Sequence, residues 1–130
     1  MGLSIDLSRA TRLKVVQFDC RDMSTQWIAM TLQTLTPKHR DFQRISFHIP
    51  YHHTVSAACT DIRKIVGETA YEQWLDLDRL LVRFWESHSI RPKIAYPYRS
   101  EEGRKGGMYF VSRLLPEITK RGAVDLVKDR

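Results

Sequence analysis

The stretch FHIPYHHTV, from Phe47 to Val55, brings His48, His52 and His53 close together, and imidazoles at such spacing raise the question of a metal or catalytic site. The arrangement argues against both. His52 and His53 are adjacent, so they point to opposite faces of a strand or diverge by about 100° on a helix, and cannot easily share one ion. Pro50 interrupts any helical relation between His48 and His52, and no H-E-x-x-H run or cysteine pair completes a ligand set. His52 and His53 therefore read as loop residues ahead of a helix, and no metal is expected. His48 differs: it falls at the end of an extended segment, beside Arg44 and Ser46 on the same side of the strand.

Two further groups have the residue types for chemistry. Glu72, Asp76 and Asp78 could supply a paired acid and base, but Glu72 and Asp76 belong to the polar side of a strongly amphipathic segment. Asp78 falls inside its apolar arc, where a carboxylate must pair with an arginine or accept hydrogen bonds from the backbone. The segment SEEGRKGG, from Ser100 to Gly107, carries Arg104 and Lys105, is rich in glycine and leads into a helix, which is the general recipe for an anion nest. It lacks the spacing and the Lys-Ser/Thr ending of a P-loop, so a flexible connection is expected there. No G-x-S-x-G elbow, dinucleotide fingerprint or kinase signature is present. The reading is a non-enzymatic protein with no catalytic residue and no cofactor; a small hydrolase or metal enzyme stands behind the binding functions.

The elements that would carry these residues are four strands separated by helices. LKVVQF from Leu13, FQRISF from Phe42, KIAY from Lys93 and AVDLV from Ala123 are rich in apolar or β-branched residues and bounded by turn or helix-end signals. A helix over residues 22–36 carries Ile28, Leu32 and Leu35 on one stripe and stops at Pro37; Trp27 and Met30 lie off that stripe and are either buried by a neighbouring repeat, which is the expectation, or exposed for a partner. A second, over residues 54–66, repeats Val55, Ala58, Cys59, Ile62 and Val66, with Gly67 as its left-handed cap. The third, over residues 70–88, has a capping box in Thr69 and Glu72, and an apolar arc broad enough to need two neighbours. The fourth bears Val111, Leu114, Leu115 and Ile118; Pro116 kinks it or starts a second short helix, and Gly122 ends it.

Alternation of this kind predicts an α/β fold with parallel strands and right-handed crossovers. The first two strands share apolar-x-x-apolar-x-apolar, the strand pattern of a leucine-rich repeat, through Leu13, Val16, Phe18 and Phe42, Ile45, Phe47. The third and fourth keep the last two anchors, Ile94 with Tyr96 and Val124 with Leu126, and lose the first to Arg91 and Arg121. Steps of about 29, 49 and 30 residues between Val16, Ile45, Ile94 and Val124 give a short leucine-rich-repeat-like array of about four strands, one repeat being enlarged by an extra helix. The alternative is a small open α/β sheet without repeat origin.

At 130 residues and 15.3 kDa, with 42% hydrophobic residues, the chain fits one α/β domain: an N-terminal lead over residues 1–12 and a repeat-like core over 13–130. Lys and Arg number 21 against 15 Asp and Glu, a formal charge of +6 that attracts phosphates or acidic proteins, though without a like-charged run marking a nucleic-acid tail. Cys20 and Cys59 match neither a disulfide framework nor a zinc spacing and read as buried thiols, which suits a reducing compartment. No apolar run reaches membrane-spanning length, the start lacks a signal-peptide apolar region, Gly2 is followed by Asp6 where myristoylation wants Ser or Thr, and no Asn is present for glycosylation. A cytoplasmic or nuclear protein without membrane contact is expected.

The segments LDRLLVRFWESHSIRPKIAYP, from Leu77 to Pro97, and LLPEITKRGAVDLV, from Leu114 to Val127, resemble the C-terminal region of basidiomycete fungal F-box-like proteins with degenerate leucine-rich repeats, a resemblance that runs from about Leu13 onward. The resemblance implies a substrate receptor whose F-box docks to a ubiquitin-ligase adaptor while its repeats bind a target. This chain departs from it in having about a dozen residues ahead of the first strand, too few for an F-box. It implies no catalytic residues. In the repeat reading Gln17 and Asp19, Arg44, Ser46 and His48, and Lys93 project from adjacent strands onto one open face, a mixed but basic contact surface for a protein partner not yet identified. Nucleic acid, held without sequence preference around Arg99, Arg104 and Lys105, is the alternative ligand.

Overall fold

Val16 and Phe18, Ile45 and Phe47, and Ile94 and Tyr96 alternate with polar neighbours, so each short strand has one side fit for a core and one fit for water. A computed structural model of the chain, describing residues 6–20, 25–36, 38–49, 63, 66–96, 98 and 100–128, arranges them accordingly. The strands are β1 (Val15–Asp19), β2 (Arg44–His48), β3 (Lys93–Tyr96) and β4 (Asp125–Lys128). All pair in parallel, in the order β1-β2-β3-β4. The helices are α1 (Gln26–Leu32), α2 (Glu68–His88), α3 (Glu101–Leu114) and α4 (Pro116–Lys120). This is an α/β fold with a parallel four-stranded sheet alternating with helices, as in a short repeat array.

Sequential strand order decides where the helices go. When each new parallel strand is added on the same side of the last, right-handed crossovers bring every helix to one face; a reversal of order would be needed to cover the other. The contacts agree. Phe18 stacks on Phe47 and meets Trp27 of α1 edge-on, Phe47 meets Trp74 of α2, and Tyr96 meets Phe110 of α3. Ile45, Phe47, Ile94, Trp74, Leu77, Leu81, Phe110 and Leu114 are inaccessible to solvent and form one core.

The register contains one departure from the repeat pattern. Val16 pairs with Ile45 and Phe18 with Phe47, as expected, but Phe47 pairs with Ile94 and Ile94 with Leu126. Against the other strands β3 is therefore set two residues from the anchor alignment, and Pro92, buried just before the strand, continues the row of Val16 and Ile45. Its carbonyl accepts from the Asp125 amide at 3.0 Å. A proline serves at a strand's entrance because its missing N–H is not needed there. A two-residue slip preserves the facing of every side chain, whereas one residue would have inverted it.

The helices differ from expectation in instructive ways. α1 is seven residues long, not fifteen: Thr34 Oγ1 bonds back to the Thr31 carbonyl at 2.6 Å, and the Thr36 amide donates to His39 Nδ1 at 3.0 Å. Such local bonds offer the backbone an alternative to the helix. Trp27 is half-buried against Phe18, but Met30 is 49% exposed, so the burial expected of it does not occur. α2 starts at Glu68 after Gly67, whose φ of 92° favours glycine, and Gly67 makes no side-chain cap, so the Thr69–Glu72 capping box does not form. The helix packs on α1 and on α3 and α4, the neighbours its broad arc requires. The segment expected to be a flexible connection, residues 100–107, is the first half of α3: Ser100 caps it by accepting from the Gly103 amide at 3.1 Å, with Glu101 and Glu102 in the positive first turn. Pro116 opens α4, and Gly122, at φ 66°, ends it. Cys20 is buried. His52, His53, Cys59, Pro37, Arg99 and most of the helix over 54–66 lie outside the described residues; Arg63 and Val66, at its end, are helical.

Candidate functional site

The side of the sheet opposite the helices presents three rows of side chains. Gln17, Ser46, Lys93 and Asp125 stand in register across the four strands, followed by Asp19, His48, Ala95 and Val127, and preceded by Val15 and Arg44. Gln17, Asp19 and Arg44 are exposed, while Ser46, His48 and Lys93 are half-buried. All six residues expected on the open face are thus on one surface. Val15 and Val127, 44% and 37% exposed, add apolar contacts at two of its margins.

Among the described residues, two contacts between oppositely charged or titratable side chains shape this surface. His48 Nδ1 lies 3.7 Å from Asp19 Oδ1, an attraction that becomes an ion pair when the imidazole is protonated. Arg91 donates from Nη2 to Asp125 Oδ1 at 2.8 Å and from Nε to both oxygens, and its guanidinium also lies over the Trp85 ring, 5.8 Å from the centroid. The Arg91 hydrogen bonds hold the Asp125 carboxyl below its ordinary value, and Asp125 raises the Arg91 guanidinium in return. Both side chains are well exposed, so the pair fixes geometry more than it stabilises the fold.

The other candidate groups do not assemble chemistry. Asp76 pairs with Arg79 at 2.8 Å on the solvent side of α2, and Glu72 is exposed with it. Asp78 is buried on the opposite side, where its two oxygens accept from the Glu117 and Ile118 amides at 2.9 Å each. Burial pushes its carboxyl up, and the two amides pull it back. It works as a cap supplied in trans: Pro116 has no N–H and Leu115, at the N-cap position, has no polar side chain, so the first free amides of α4 are met from α2. The groove of about 250 Å³ on α2 is lined by Arg63, Tyr71, Glu72, Leu75, Asp76 and Arg79, and Arg63 already lies over the Tyr71 ring at 5.1 Å. Among the basic residues proposed for nucleic acid, Arg104 pairs with Glu101 at 3.2 Å and Lys105 is exposed on α3. No group of three or more metal-ligating side chains occurs among the described residues. No helix among them is long and apolar enough to cross a membrane.

One polar residue escaped the sequence reading. His39 is 2% exposed; its Nε2 donates to the Leu7 carbonyl at 2.7 Å while Nδ1 accepts from the Thr36 amide, which fixes the tautomer and ties the N-terminal lead to the turn before β2. No periodicity marks it, and the proline–basic surroundings of His39 gave no motif. No protein-family model, curated protein or solved structure matches the chain.

Proposed function

We propose that the chain is a non-enzymatic protein-recognition module that binds its partner on the open face of the sheet. The observation that carries this reading is the strand order: a sequential parallel sheet with helices on one face leaves Gln17, Asp19, Arg44, Ser46, His48 and Lys93 on a single surface of rigid strands. Such a surface holds interacting side chains at fixed spacing, as the strands of repeat proteins do. The likeness to F-box-like repeat proteins supports the same role, that of the repeats that hold a target.

The test is affinity capture from a fungal lysate with the tagged chain, with and without nuclease, beside an Arg44→Ala/His48→Ala variant. A stoichiometric protein that survives nuclease and is lost on the variant, whose melting temperature is unchanged, is the expected result. A large drop in melting temperature would mean that these side chains are packed, and would contradict the surface role.

The formal charge of +6 favours a second reading, sequence-independent binding of nucleic acid. It predicts affinity that falls steeply with salt and capture that nuclease abolishes.

A further inference from the structure

The charge on the open face is unevenly balanced. Asp19 has His48 beside it and Asp125 is gripped by Arg91, so each acid of the face has a cationic or titratable neighbour. Among the described residues neither Arg44 nor Lys93 has a carboxylate within salt-bridge distance; Lys93 feels Asp125 across the strands, but that carboxylate is committed to Arg91. Ser46 adjoins both cations, in the row of Gln17 and Lys93 and two residues beyond Arg44 on the same strand. With strands about 4.8 Å apart and a rise of about 3.3 Å per residue, Arg44 and Lys93 spring from points roughly 8 Å apart, one before Ser46 on its own strand and one beside it on the next. Long side chains from those points reach one two-oxygen anion together.

We infer that this cluster seats a carboxylate of an acidic peptide segment, with the Arg44 guanidinium, the Lys93 ammonium and the Ser46 hydroxyl as donors. The inference rests on the open face being the recognition surface. Charge favours a peptide over a nucleic acid as occupant. The same spacing puts Asp19 and Asp125 roughly 16 Å apart on two sides of the cluster, so a chain of continuous phosphates leaving it meets a carboxylate along either path. A peptide can place an acid over Ser46 and neutral or basic residues over Asp19 and Asp125, and its apolar side chains find Val15 and Val127.

A random peptide library is panned on the whole immobilised chain, with counter-selection on the Arg44→Ala/Lys93→Ala variant, and the selected peptides are titrated by fluorescence anisotropy at low and high salt. The expected result is enrichment of Asp and Glu, affinity about tenfold weaker on the double variant, and a moderate salt dependence. Should the alanine pair lower the melting temperature, Arg44→Gln/Lys93→Gln keeps the aliphatic stems and removes the charges. Selected peptides without acidic residues, indifferent to the double variant but lost on Gln17→Ala or Val15→Asp, would overturn the carboxylate inference and leave the face as the binding surface. Peptides insensitive to every face substitution, or none selected, would overturn both. A single-stranded oligonucleotide that displaces acidic peptides from the cluster with a steep salt slope would assign it to nucleic acid, which also overturns the inference.

Discussion

Replacing Asp78 by Ala tests whether α4 depends on a cap borrowed from α2. The substitution removes both acceptors and strands two amides, that of Ile118 in a buried site and that of Glu117 in a partly buried one. Loss of an N-cap alone costs about 1 kcal/mol, and a buried donor left without a partner costs about 1–3 kcal/mol more. Removing a desolvated carboxylate returns part of that, so the net loss is roughly 2–4 kcal/mol, or a fall in melting temperature of roughly 7–15 °C for a chain of this length. Urea unfolding gives the free energy and calorimetry the temperature. The control is Asp76→Ala on the exposed side of the same helix, where a change within about 0.5 kcal/mol is expected. If Asp78→Ala costs no more than that control, the cap is not holding α4. A pH series adds a signed check. Burial raises the carboxyl above its ordinary 3.8, so between that value and the raised one the folded state holds the extra proton. Stability from this group therefore declines as pH rises through that window, and Asp78→Asn abolishes the decline.

Three other outcomes are expected. Gly106 and Gly107 are neighbours in α3 with opposite fates: a Cβ at Gly106 meets nothing within 4 Å, so Gly106→Ala stabilises by up to about 1 kcal/mol, whereas at Gly107 it would sit 2.8 Å from Cδ1 of the buried Tyr96 ring, so Gly107→Ala destabilises by about 1–3 kcal/mol; equal melting shifts would refute the close packing of α3 on β3. The Arg91 pair lowers the Asp125 carboxyl, so its small contribution at this exposure is present above pH 3.8 and lost as pH falls through the folded value; Asp125→Asn flattens acid unfolding in that range, and an unchanged profile would count against the pair. His39→Ala frees the lead, seen as faster amide exchange at Leu7, Ala10 and Leu13 with the β2 amides unchanged, and equal exchange in both proteins would contradict the tie.

Much of the fold was legible because its signals are periodic. Alternation in VVQFD and RISFH located strands and assigned their faces, and the arc from Trp74 to Phe84 located the central helix. Asp78 was legible for the opposite reason: a carboxylate inside an apolar arc is an anomaly that demands hydrogen bonds, and the backbone supplied them. What was missed is contextual. Pro92 does not look like a strand anchor, yet it completes the apolar row and so sets β3 two residues from the alignment by Ile94 and Tyr96. Three glycines made residues 100–107 look like a loop, because low helix propensity is overridden where Gly107 lets α3 approach Tyr96 closely. Thr69 and Glu72 had the spacing of a cap, but Thr69 is the second residue of a helix that begins at Glu68. The six open-face residues were found by facing alone, which an even register slip leaves unchanged; what binds them is chemistry that neither alternation nor fold encodes.

The most direct test of the open face as a recognition surface is photo-crosslinking in cells. A photoreactive amino acid at Gln17 or Ser46 is compared with one at Glu86 or Arg83 on the exposed side of α2. The account predicts one discrete protein adduct from the sheet positions, resistant to nuclease and absent from the helix positions. The same adduct from the helix positions, or nuclease-sensitive material alone from the sheet, would contradict it.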